Sequence, residues 1–233
     1  MKAALFEQLL AARAGKQPVV LVTEIESGQQ ALVFAAGDAG GGLGAEVVTA
    51  AREALRAGRS AVMERSDAGK TFLHVFNPPL RLFIVGAVHI TQALAPMAAI
   101  LGYRVTVIDP RRAFTSPERF AHVRVLDTWP DEALAGEQLD ARSAVVTLTH
   151  DPKLDDPALA AALRSEAFYI GCLGSRRTHG KRLQRLSEAG FDAGSLERLH
   201  GPVGLDIGAS SPGEIATAIL AEMTQCLRRG PVE

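Results

Sequence analysis

Apolar residues along this chain recur in two rhythms, one near the helical period and one in short unbroken runs. Residues 3–14 space Ala, Leu and Phe helically with Glu7 among them, which predicts an amphipathic helix. VVLVTEI (19–25) and ALVFAA (31–36) read as strands, 45–57 as a helix, and 60–64 and 71–76 as two further strands. Asn77-Pro78-Pro79 breaks the pattern, because proline cannot donate to a strand ladder, and a domain boundary is expected there. From Leu80 onward short strands (81–86, 104–109, 123–126, 143–149, 167–172) alternate with helices (90–101, 157–164, 175–189, 212–228). Such alternation predicts a parallel sheet with helices on both faces. The expected class is therefore α/β: a smaller α+β domain over residues 1–79 and a parallel-sheet domain over 80–233.

Composition narrows the function classes more than the fold. With 233 residues, 47% of them hydrophobic, the chain can bury real cores. A formal net charge of −1 removes any global reason to expect nucleic acid or a membrane surface as partner, so an anion preference has to be local. No run approaches the roughly 20 apolar residues that an integral membrane helix needs, and the N-terminus lacks a signal-type apolar region. Cys172 and Cys226 have neither the number nor the spacing of a zinc site or a disulfide framework, which fits a cytoplasmic protein without a structural metal.

The segment FYIGCLGSRRTHGKRLQRL (168–186) supplies that local preference. A strand-like run breaks at Gly174 and restarts as a helix for which Ser175 is a suitable N-cap. Arg176 and Arg177 then stand where the helix dipole is already positive, an arrangement that suits phosphate or a similar oxyanion. Five basic residues and no acidic one lie between Phe168 and Ser187. The competing reading is a solvated basic face, since Arg177, Lys181 and Arg185 recur at i, i+4, i+8.

Residues 82–109 open as a dinucleotide-binding βαβ unit does, with a buried strand, Gly86 at the turn, a helix and Asp109 closing the second strand. Val88 and Thr91, however, occupy the second and third glycine positions of G-x-G-x-x-G. Asp109 is a candidate for a ribose hydroxyl, or simply a turn-forming residue before Pro110. His89 is placed to face the crevice, or is structural. His150-Asp151-Pro152 should also lie at the carboxyl end of the sheet, as a proton-handling pair or as a turn. GLDIGASS (204–211) brings Asp206 to another helix start, as a polar contact or a cap, and the glycine-rich 37–44 segment is a ligand loop or a mobile one.

In order along the chain, VIDPRRAF (107–114), LTHDPKLDDPAL (148–159), YIGCLGSRRTHGKRL (169–183) and HGPVGLDIGASSPGEIA (200–216) resemble the xanthine dehydrogenase accessory protein family, XdhC/CoxI. The resemblance spans nearly the whole chain. It implies a small N-terminal domain and a Rossmann-like C-terminal domain. The implied role is that of a chaperone, not a catalyst, binding molybdenum cofactor (molybdopterin) and passing it to a xanthine dehydrogenase-type molybdenum hydroxylase, with a cysteine desulfurase supplying sulfur. A homo-oligomer is expected. The cofactor-binding residues it suggests are Gly86, His89, Asp109, Arg111, His150, Asp151, Gly174, Ser175, Arg176, Arg177 and Asp206, with no metal ligand and no catalytic group. Two positions depart from the family pattern: Gly42-Leu43-Gly44-Ala45-Glu46 lacks the cysteine common in that loop, and Val88 replaces a small residue. An NAD(P)-dependent oxidoreductase using Gly86 and Asp109 is the alternative.

Overall fold

The computed structural model describes residues 2–37, 42–65, 69–116, 118–121 and 123–229, and divides into two compact units, Met1–Pro78 and Pro79–Glu233. In the first unit, β1 (Val19–Glu24), β2 (Gln30–Phe34), β3 (Ala61–Glu64) and β4 (Lys70–Phe76) form an antiparallel sheet in the order β2-β1-β4-β3. Helices α1 (Ala3–Ala14) and α2 (Ala45–Ala57) cover its two faces. Val19 and Leu21 pack with Leu9 and Ala12 of α1, whereas Val20 and Val22 pack with Val47, Ala51 and Leu55 of α2. Covering on both faces explains why VVLV is apolar without alternation. The stripe that α1 buries is narrow: Phe6 and Leu10 remain nearly half exposed.

The second unit carries six parallel strands: β5 (Arg81–Val85), β6 (Arg104–Ile108), β7 (Arg124–Leu126), β8 (Ser143–Thr147), β9 (Tyr169–Cys172) and β10 (Leu199–His200). Their order is β10-β9-β8-β5-β6-β7. The chain reverses direction across the sheet between β5 and β8, the switch point at which doubly wound sheets bind ligands. On one face, Leu82, Ile84 and Val146 pack with α3 (His89–Ile100) and α8 (Pro212–Arg229). On the other, Phe83, Val145 and Ile170 pack with α4 (Pro130–Glu137), α5 (Pro152–Leu163) and α6 (Arg176–Glu188). The short α7 (Ala193–Leu196) precedes β10. None of the described helices is long and apolar enough to cross a membrane.

Several elements depart from the sequence reading. Helix α5 begins at Pro152, not at 157, because the Asp151 carboxylate accepts the Lys153 N–H at 3.0 Å and Pro152 occupies the first turn, where its missing N–H costs nothing. Helix α4 has no counterpart in that reading, although Pro130, Asp131 and Glu132 make a favourable helix start. Strand β10 is only two residues long, too short to show a period.

Candidate functional site

Strands β6, β5, β8 and β9 are neighbours, so the turns that follow them share one edge of the sheet. Gly86 leaves β5 at φ 113°, and a Cβ there would stand 2.7 Å from Thr149 Cγ2. Only glycine lets these adjacent strand ends come so close. Thr91, at the position of the third fingerprint glycine, is fully buried and donates its hydroxyl to the Gly86 carbonyl, tying α3 to the turn. Val88 packs against the core on the α3 side, and His89 is exposed in the first turn of α3.

Asp109 takes the turn-forming one of its two expected roles, with Oδ1 accepting the Arg111 N–H across Pro110, and has no oxygen free for a ribose hydroxyl. It has no exposed surface, and both oxygens are occupied. Oδ2 accepts from the Ala87 N–H and from Arg111 Nη2, both at 2.8 Å, while Oδ1 accepts from the Arg111 N–H at 3.0 Å and Nε at 2.9 Å. Burial pushes this carboxyl upward, but the Arg111 guanidinium and the two backbone donors outweigh it and hold it below the ordinary aspartate range. Asp109 thus braces the β5 turn and aims Arg111. The Arg111 guanidinium lies 4.6 Å from the Phe114 ring centroid, and hydrogen bonding to Asp109, with lesser fields from Asp151 and Asp155, raises its pKa.

On the other side of β5, β8 runs into α5 through His150, which adopts φ 61°, a left-handed conformation uncommon outside glycine. Asp151 is the α5 cap described above, so its carboxylate is already partly engaged. Beyond β9, Gly174 at φ 147° brings the chain against α6: a Cβ there would meet Thr178 at 3.2 Å. Ser175 caps α6 by accepting the Thr178 N–H at 3.2 Å.

Between these two helix starts lies a cavity of about 420 Å³. His150 and Asp155 line one side, and Arg177, Thr178, Lys181, Arg182 and Arg185 the other. The basic stripe of α6 therefore lines a hollow, although Arg177 and Lys181 stay exposed to solvent. Arg185 is held by Asp156 through two bonds, at 2.5 and 2.9 Å. Arg182 is the residue that sequence reasoning missed. Its side chain is only 2% exposed; Nη2 donates to the Leu173 carbonyl at 2.9 Å and lies 3.7 Å from Asp155 Oδ2. Nε and Nη1 are buried and have no hydrogen-bond partner. Asp155 accepts the Thr149 hydroxyl at 2.7 Å, and burial raises its pKa despite that bond and the Arg182 charge. Arg176 is exposed and is not part of the cavity lining. Asp206 is exposed in the loop before α8, whose start is capped instead by Ser211 and Glu214.

A second polar cluster lies between β9, β10 and α8. Glu222 accepts the Tyr169 hydroxyl and the Gly204 N–H, and lies 3.1 Å from His200 Nδ1; His200 Nε2 is 3.8 Å from Cys226 Sγ. The order thiol, imidazole, carboxylate resembles a nucleophile triad, but Cys226 is buried in the core and burial raises its thiol pKa. In the first unit, Gly42, Leu43 and Gly44 line a hollow with Glu24 and Arg65; Asp38, Ala39, Gly40 and Gly41 of the glycine-rich segment lie outside the described residues.

A sequence model of the XdhC Rossmann domain matches residues 82–223. The molybdenum cofactor insertion chaperone PaoD of Escherichia coli strain K12 is 34% identical over 148 residues, 64% of this chain and 40% of PaoD. A protein of Bacillus subtilis strain 168 named as a probable subunit of xanthine dehydrogenase is 31% identical over 159 residues, 68% of this chain and 46% of that protein. The chain thus spans less than half the length of these curated relatives. A solved structure described as a xanthine dehydrogenase from Bacillus halodurans shares the fold at a TM-score of 0.67 and 24% identity, over 97% of this chain and 65% of its own.

Proposed function

The chain belongs to the XdhC family, and on that premise we propose that it binds molybdenum cofactor and assists its sulfuration and insertion into a xanthine dehydrogenase-type molybdenum hydroxylase. The observation that carries this reading is the cationic cavity at the carboxyl edge of the parallel sheet, with a buried arginine whose Nε and Nη1 have no partner. The cofactor is cargo that carries a phosphate together with anionic sulfur and oxygen, and such donors suit unpaired guanidinium nitrogens. Its holding residues are proposed to be Gly86, His89, Arg111, His150, Gly174, Ser175, Arg176 and Arg177, to which the cavity adds Lys181 and Arg182. Asp109 and Asp151 act through neighbours: the first orients Arg111, the second fixes the start of α5.

In this role the protein carries and shields and does not itself catalyse. Cys172 and Cys226 are both buried free thiols, and burial pushes the Cys172 thiol up to about 11, so neither is suited to relay sulfur. Sulfur is therefore proposed to come from a separate cysteine desulfurase. The test is retention: purified protein mixed anaerobically with isolated molybdenum cofactor should carry it through a sizing column. Folded protein that elutes without cofactor overturns the proposal.

A further inference from the structure

The four cations facing the α5–α6 cavity are not equivalent. Arg185 is already matched by the two oxygens of Asp156. Arg177 and Lys181 are exposed, and their side chains make no hydrogen bond or ion pair among the described residues. Arg182 is buried, and only Nη2 of its guanidinium is engaged. A buried charged donor left without acceptors costs free energy, and native structures rarely tolerate one unless a ligand, ion or water completes it. A solvated helix face does not account for Arg182, because solvent barely reaches it.

We propose that this cavity seats a phosphate monoester, with Arg182 as its buried anchor and Arg177 and Lys181 as the outer clamp. The assignment rests on the cofactor reading for the identity of the molecule that bears the phosphate. Charge supports the class of ligand. The four cations are offset by Asp155 and Asp156, an excess of two positive charges, and a phosphate monoester carries about −1.5 to −2 at neutral pH. Size supports it as well: about 420 Å³ lies within the usual range for small-molecule sites and leaves room for more than a bare phosphate. The helix dipole and the Ser175-capped start of α6 add positive potential at the same end. The seat is thus displaced along α6, from the arginine pair at its start to the one-turn ladder Arg177–Lys181 and the buried Arg182 beside it.

The experiment is calorimetric titration of the full chain with phenyl phosphate and, separately, with inorganic phosphate at constant ionic strength. Saturable binding of phenyl phosphate is expected, tighter than that of inorganic phosphate. The double variant Arg177→Ser/Lys181→Ser, altered only at exposed positions, should bind about tenfold or more weakly. Arg104→Ser, which removes an exposed cation at the opposite end of the strands, should bind as the parent does. Absence of saturable binding, or equal loss in Arg104→Ser, overturns the seat; inorganic phosphate binding as tightly as the ester overturns the monoester assignment. Cofactor retention by the same variants separates the two proposals. Protein that retains cofactor regardless of Arg177 and Lys181 removes this seat and leaves the chaperone reading standing. Protein that binds phenyl phosphate but never cofactor keeps the seat and removes that reading.

Discussion

Asp155 Oδ2 lies 3.7 Å from Arg182 Nη2, and each side chain is only 2% exposed, so consecutive helices bring a carboxylate and a guanidinium out of water beside the cavity. The pair is strongly coupled to the fold: removing one member leaves the other buried and uncompensated. Asp155→Ala should therefore lower the unfolding free energy by about 3 kcal/mol, measured by urea denaturation at pH 7. A loss below about 1 kcal/mol would show that water replaces the carboxylate and that the pair is effectively solvated.

Asp109 governs an acid-dependent part of stability. Its folded carboxyl sits below the ordinary aspartate range, so it contributes stability that is present above about pH 4 and is lost as pH falls through the lower folded value. Asp109→Asn should be about 2 kcal/mol less stable than the parent at pH 7, and the gap should close on acidification. Thermal melts of both proteins from pH 7 to strongly acidic conditions test the sign; a gap that widens in acid contradicts it.

The same bonds bear on nicotinamide cofactors. With both Asp109 oxygens occupied and Val88 at the second glycine position, the two features that a Rossmann βα turn offers to NAD are missing. Titration with NADH and NADPH, followed by cofactor fluorescence, should show no saturable binding below about 100 μM. Micromolar binding of either would reinstate an oxidoreductase.

Both cysteines should be silent in the folded protein. With its pKa at about 11, Cys172 is ionised to about one part in a thousand at pH 8, and Cys226 is buried as well. A disulfide reagent such as 5,5′-dithiobis(2-nitrobenzoate) should react negligibly with native protein at pH 8 and with two thiols after unfolding in guanidinium. Prompt release of one equivalent from native protein would show that a thiol is accessible and would reopen a role in sulfur handling.

Much of the architecture was legible because it rests on local signals. Alternating strands and helices after Pro79 and the Ser175 cap each follow from a few adjacent residues, and each is found as expected. The start of α5 was misplaced because two aspartate–proline pairs compete one after the other, and burial of Leu154 and Asp155 favours the earlier one. The cavity was only half legible. Arg177, Lys181 and Arg185 already formed a stripe at i, i+4, i+8, but nothing local distinguishes a stripe facing water from one lining a hollow.

Arg182 shows where the division falls. Its sequence signal was present, four residues before the buried Leu186 on the inner flank of α6, with Asp155 in the apolar stripe of α5 as the matching anomaly. Sequence alone determined that α6 begins at a glycine turn and is strongly basic, because caps and charge counts are properties of neighbouring residues. Only the tertiary structure decided that Asp109 is spent on the Ala87 N–H of the neighbouring strand's turn and that Arg182 is buried with unpaired donors. Those facts depend on which strands lie side by side and on how much water their packing removes.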